Sequence, residues 1–141
     1  MPRSSRFVVA THVLTMLAYC EDEAVTSEYI AGSVNTNPVV VRRILGLLAK
    51  AGLVSTREGA GGGVRLARPA DKIDLRDVYA AVETNALFAL HPSGPNLQCP
   101  VGSTIQGALE PTLDAAEGAL LGSLAKTTVA DLVGRLGRAR S

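Results

Sequence analysis

Cysteine is scarce in this chain. Two in 141 residues, Cys20 and Cys99, are too few for a disulfide framework or a self-contained zinc site. Long apolar runs are missing as well, since none approaches the ~20 residues needed to span a bilayer. The start, MPRSSRFVVATHVL, is basic and then apolar, but Thr11 and His12 interrupt it and no small-residue cleavage site follows. These absences predict a soluble, cytoplasmic protein with no membrane partner. There is no nucleophile elbow, no carboxylate pair beside a histidine and no cluster of metal ligands, so no enzyme is expected. Net charge is nearly absent too, at +1, and total charge does not point to nucleic acid.

The distribution of that charge is more telling. Between Arg42 and Arg68 stand six basic residues (Arg42, Arg43, Lys50, Arg57, Arg65, Arg68) and one acid, Glu58, whereas acids outnumber bases from Pro69 onward. A local basic segment on a near-neutral protein is the pattern of a compact nucleic-acid footprint. The length suits one folding unit with a real core.

Periodicity predicts a mainly α fold. Phe7, Ala10, Val13, Leu14 and Leu17 recur at helical spacing over residues 4–20. Thr26 or Ser27 caps a short second helix carrying Tyr29, Ile30 and Val34. Asn35-Thr36-Asn37-Pro38 is a turn, in which Asn37 is a good N-cap and Pro38 suits the first helical position. The third helix follows, with Val41, Ile44, Leu45 and Leu48 on one stripe and Gly52 placed to end it. Two helices joined in this way have the layout of a helix-turn-helix. LVSTRE and VRLAR then flank GAGGG, which reads as a hairpin wing. A phosphate-cradling loop would need a helix after the glycines, and a strand-like run ending at Pro69 stands there instead.

Asp74 caps a fourth helix with Leu75, Val78, Tyr79 and Val82 inward. Residues 88–102 hold three prolines and show no period. Ile105, Leu109, Leu113, Ala116, Leu120 and Leu124 then mark a long helix in which Pro111 should cause a kink or a fresh start. Thr127 or Thr128 caps the last one. The expected organisation is a winged helix-turn-helix over 1–84, a loop over 85–103 and C-terminal dimerisation helices over 104–141.

With the third helix's stripe packed inward, Thr36, Val39, Val40, Arg42 and Arg43 lie on or beside its outer face in the first turns. Those turns are the part of a recognition helix that meets base edges. Arginine offers a bidentate fork to guanine, and valine methyls can contact the thymine methyl. Asn37 could reach a phosphate if its cap role leaves it free. In the wing, Gly61 and Gly62 allow close backbone approach, with Arg57 and Arg65 as phosphate or minor-groove contacts. One such unit covers few base pairs, so specificity asks for a homodimer on a palindrome of double-stranded DNA. The helix carrying Ile105 to Leu124 is the candidate joining element. A winged-helix adaptor that contacts protein rather than DNA is the alternative, and the arginines argue against it.

The run IAGSVNTNPVVVRRILGLLAKAGLVSTREGAGGGVRLARP resembles the helix-turn-helix and wing of the Rrf-type regulators, the IscR, NsrR and CymR group. The K-x-G-L-V exit from the third helix and the glycine-rich wing leading to L-x-R-P carry the likeness. LRDVYAAVE, FALHPSGPNLQCPVGSTIQGALE and TTVADL extend it over nearly the whole chain, and the wording looks most like the YwnA-like branch that lacks the cysteine cluster. The resemblance implies a homodimeric winged-helix repressor or activator, with a repressor expected, base contacts at Val39 and Arg42 and the long helix at the dimer interface. Two departures stand out. Glu58 occupies the place of the family's wing arginine, and only Cys99 falls where many members hold three cluster cysteines. Four ligands are needed for such a cluster, and His12 or His91 would have to complete the set, so no iron–sulfur cofactor is expected. Cys99 remains a candidate sensor thiol.

Overall fold

The computed structural model describes residues 5–21, 23–83, 87–88 and 93–139. Its elements are α1 (Arg6–Tyr19), α2 (Ser27–Val34), α3 (Pro38–Lys50), β1 (Val54–Arg57), β2 (Gly63–Leu66), a 3-10 turn (Ala70–Lys72), α4 (Leu75–Val82), α5 (Ile105–Leu124) and α6 (Val129–Ala139). The fold is mainly α with a small antiparallel wing, as the sequence pattern predicts.

Local chemistry sets the ends of the first helices. The Thr26 hydroxyl accepts the Tyr29 N–H, and the Asn37 side chain accepts the Val39 N–H at 2.7 Å, with Pro38 opening α3. Asn35 closes α2 in the left-handed region at φ 61°, a conformation asparagine tolerates better than most residues. At the far end of α3, the Gly52 N–H reaches the Ala49 carbonyl and the Leu53 N–H reaches Leu48, at 3.0 and 2.9 Å. This pair of bonds provides for the orphan carbonyls of the last turn.

The core is a single cluster. Ala10, Val13, Leu14 and Leu17 of α1 meet Ile30 of α2, the full Val41–Ile44–Leu45–Leu48 stripe of α3, and Val78 and Val82 of α4. A buried Leu or Ile contributes roughly 1.5–3 kcal/mol by leaving water. Phe7 and Tyr79 close one side edge to face, with ring centroids 5.8 Å apart. Thr15 is buried, and its hydroxyl donates to the Thr11 carbonyl at 2.7 Å.

Three features depart from the sequence pattern. First, the wing is not a free hairpin. Val25, between α1 and α2, exchanges backbone hydrogen bonds with Val64 at 3.1 and 2.8 Å and so anchors β2 to the body. Second, of the kink or fresh start expected at Pro111, the fresh start does not occur, and α5 runs on through that residue. Third, α6 does not form a separate C-terminal unit with α5. The Leu75 N–H donates to Thr127 and the Val129 N–H donates to Ile73, both at 2.9 Å, which ties the start of α6 to the start of α4. Val129 is fully buried and α6 lies along α1. Residues 129–139 therefore complete the winged body. In contrast, α5 buries none of its residues, and its main neighbour within the chain is α4.

Candidate nucleic-acid interface

Once the inward stripe of α3 is committed to the core, geometry decides what its other faces present. Val39 and Val40 stay 53% and 38% exposed, and Arg42 and Arg43 are exposed beside them. Thr36 is half-buried in the turn between α2 and α3. It lines an open hollow of about 540 Å³ with Asn37 and Glu28. The Asn37 carboxamide oxygen is taken by the cap, leaving its amide N–H groups to face outward partners.

The wing contributes from the other side. In the β1–β2 register Ser55 faces Arg65 and Arg57 faces Gly63. Alternation along the strands puts Val54 and Val64 on the core side and Arg57 and Arg65 together on the outer side. These two arginines, with Gly61, Gly63, Ser55 and Ala24, surround a hollow of about 180 Å³. Gly62 and Gly63 are required by packing rather than by looseness. A Cβ on Gly62 would collide with the Arg57 carbonyl oxygen, and one on Gly63 would stand 2.8 Å from the Val25 carbonyl oxygen. The backbone of the wing is held tight against its own strand and against Val25.

The structure also joins the two predicted groups. Arg42 of α3 and Arg57 of β1 line one groove of about 490 Å³ with Thr26, Ser27, Thr56 and Gly62. Thr26, Ser27 and Thr56 were not legible as site residues, and the only signal was Thr26's fitness as a cap. Glu28 and Glu58 also border this groove.

Electrostatics sharpen the picture. Arg6 pairs with Glu83 at 3.6 Å and Arg68 with Asp77 at 3.9 Å. Among the described residues no carboxylate lies within ion-pair distance of Arg42, Arg43, Arg57 or Arg65. Four exposed guanidinium groups without an internal partner can meet phosphate or base edges without first breaking a bond.

The remaining predicted residues lie elsewhere. Cys99 is exposed in the turns before α5. Its N–H donates to Asn96 at 3.2 Å and its carbonyl accepts the Ser103 N–H at 2.9 Å. The Gly102 and Val101 backbone N–H groups hold its thiol below the ordinary value. Cys20 is half-buried at the end of α1. His12 is exposed on α1, with Nε2 3.0 Å from the Ser33 hydroxyl. His91 lies outside the described residues. One exposed thiol cannot supply a cluster's thiolate set, and among the described residues no three His, Cys, Asp or Glu side chains group to hold a metal ion. The described residues of one chain offer a single exposed thiol before α5, short of the four ligands that an iron–sulfur cluster takes. On α5, Ile105 and Leu109 are exposed and Leu113, Leu120 and Leu124 are half-buried. No helix among the described residues is long and apolar enough to cross a membrane.

Comparison with known proteins agrees with this geometry. Residues 3–135 match the model of the Rrf2 family, described as iron-dependent transcriptional regulators. The chain is similar to YwnA of Bacillus subtilis, named as an HTH-type transcriptional regulator, at 44% identity over 94% of this chain and 98% of the relative. A crystal structure described as a DNA-binding protein shares 40% identity with a TM-score of 0.74, covering 91% of this chain and 98% of that one. IscR from T. potens, at 20% identity, matches in fold with a TM-score of 0.75 over 100% of this chain and 92% of its own.

Proposed function

The chain belongs to the Rrf2 family of DNA-binding transcriptional regulators, and from that premise we propose that it represses transcription as a homodimer on a palindromic operator. The first turns of α3 read the major groove through Val39, Val40, Arg42 and Arg43, with Thr36 and Asn37 at the turn before it. The wing grips the flanking backbone through Arg57, Arg65, Gly61 and Gly62. The observation that carries this reading is the set of four exposed arginines on α3 and the wing, none of which forms an ion pair with a carboxylate among the described residues. Two-fold symmetry places two recognition helices on half-sites about one helical turn apart, and α5, through Ile105, Leu109, Leu113, Ala116, Leu120 and Leu124, supplies the joining surface.

The protein works without an iron–sulfur cluster, because Cys99 is the only thiol in the segment before α5. Any response to the cell's state then falls to the Cys99 thiol or to a small ligand.

Titration of DNA upstream of the chain's own gene, at two salt concentrations, tests the reading. The expected result is saturable binding that weakens steeply with salt and exceeds binding to scrambled DNA by about 10³-fold or more. Equal affinity for both sequences would defeat it and favour the adaptor alternative.

A further inference from the structure

The tip of the wing is bare except at one position. Five residues join β1 to β2, and of Glu58, Gly59, Ala60, Gly61 and Gly62 only Glu58 has a side chain longer than a methyl group. The turn that carries it is well defined. Gly59 and Gly61 stand in the left-handed region at φ 92° and 74°, and the Gly62 N–H donates to the Gly59 carbonyl at 3.0 Å. Glu58 is exposed and is the single acid between Arg42 and Arg68. Although Arg57 precedes it, Glu58 forms no ion pair among the described residues. Whatever meets the tip therefore meets a carboxylate that no neighbour neutralises. We infer that Glu58 is a specificity-determining residue, which reads the minor groove beside each half-site, selects a G·C pair there and rejects a run of A·T pairs. The inference rests on the DNA-binding reading above and deepens it by naming what the wing discriminates.

Position carries the first step. Arg42 on the α3 side and Arg57 on the wing side border one groove of about 490 Å³, and Glu58 stands on its rim next to Arg57. With the first turns of α3 in the major groove, the sugar–phosphate strand that bounds that groove passes between α3 and the wing. Beyond the strand lies the minor groove, and the tip overhangs it. Glycines on both sides of Ala60 leave little bulk there, so the tip can come close. Chemistry carries the second step. In the minor groove A·T and T·A pairs present only acceptors, adenine N3 and thymine O2, whereas a G·C pair adds the guanine N2 amino donor. An ionised carboxylate accepts and does not donate, so the guanine amino group is the one base-edge partner it finds. A run of A·T pairs also narrows the groove and deepens its negative potential, which draws in arginine and repels a carboxylate. Arg57 and Arg65, on the strands behind the tip, supply the phosphate contacts that hold Glu58 near the bases against the general repulsion of the backbone.

The test uses the full chain and the DNA upstream of its own gene. Hydroxyl-radical footprinting locates the minor-groove positions protected beside the half-sites. Those positions are then rebuilt in three forms: a run of A·T pairs, a G·C pair, and an inosine·C pair, which lacks the N2 amino group. Wild-type protein is expected to bind the G·C form about tenfold or more tightly than the A·T form, the scale of one mismatched base pair. Inosine is expected to lose most of that advantage. Glu58→Ala should bring the three forms to equal affinity, and Glu58→Arg should reverse the order in favour of the A·T run, both with an unchanged melting temperature. The inosine comparison uses the unaltered protein and stands whether or not a variant folds. Equal wild-type affinity for all three forms, an advantage that inosine keeps, or a Glu58→Ala variant that binds every form more tightly by the same factor overturns Glu58 as a reader. Each of these leaves the regulator reading intact as long as the upstream DNA still outbinds scrambled DNA. Should wild-type protein bind scrambled DNA equally well, the regulator reading and this inference fall together.

Discussion

The winged body and α5 draw on the same apolar alphabet and use it oppositely. In the body, α3 spends Val41, Ile44, Leu45 and Leu48 on a shared core, and each is almost or wholly removed from solvent. α5 has as regular a run of apolar positions, yet every fully buried apolar side chain among the described residues lies outside it. The difference teaches that helical periodicity marks a surface meant for burial without saying against what. The α3 stripe is completed within the chain. Among the described residues the α5 stripe is covered only in part, with Leu113, Leu120 and Leu124 half-buried and Ile105 and Leu109 exposed.

The largest separation between the two regions should appear on truncating one leucine in each. Leu48→Ala removes a fully buried side chain and is expected to cost ~2–5 kcal/mol in urea unfolding. Leu109→Ala, measured at concentrations where the chain is monomeric, is expected to change that value by ~0.5 kcal/mol or less. Similar losses at both sites would mean that α5 is core after all. Next in size is the reading face of the body. Replacing Arg42 and Arg43 by glutamate should weaken operator binding ~100-fold or more, from ~1–3 kcal/mol for each good bidentate contact. The sedimentation profile and melting temperature should stay as they were, which separates reading DNA from pairing.

A smaller effect tests the assignment of α6 to the body. Its first turn is a reciprocal cap, in which the Thr128 hydroxyl accepts the Asp131 N–H at 3.1 Å and Asp131 accepts the Thr128 N–H at 2.9 Å. Thr128→Ala should lower the stability of the whole body by ~1 kcal/mol. If only a local α6 signal changes, α6 melts on its own and the boundary lies elsewhere. The Asp131 carboxyl is held below its ordinary value by the Thr128 N–H and hydroxyl. Its contribution is therefore present above the ordinary carboxylate pKa and lost as pH falls through the lowered value. Asp131→Asn should flatten that acid limb.

The smallest effect concerns the segment leading into α5. The Cys99 thiol is exposed and lowered by the Gly102 and Val101 N–H groups. In pH-dependent alkylation its midpoint should fall below the ~8.5 of a free thiol, and it should react ahead of half-buried Cys20. A midpoint at or above that value would leave Cys99 an ordinary surface thiol.

Much of the body was legible because its signals are local. A cap, a proline and a four-residue stripe lie within a dozen positions of each other in α3, and backbone geometry turns them into a helix with one defined face. The glycines of the wing were equally visible, but their reason was not. Gly63 is needed because Val25, nearly forty positions away, pairs with Val64, and a single paired residue leaves no alternation to read. No new helix starts at Pro111 for a related reason. A missing N–H removes one helical bond, and a twenty-residue helix can carry that loss.

By itself, then, the sequence determined the elements, their inward faces, the capping residues and the candidate arginines, because each depends on spacing within one helix or strand. Tertiary structure alone decided that Arg42 and Arg57 share a groove, that α6 belongs to the body and that α5 is covered only in part. Those outcomes depend on which surfaces meet after the chain has closed on itself, and contacts between distant segments leave no period in the sequence.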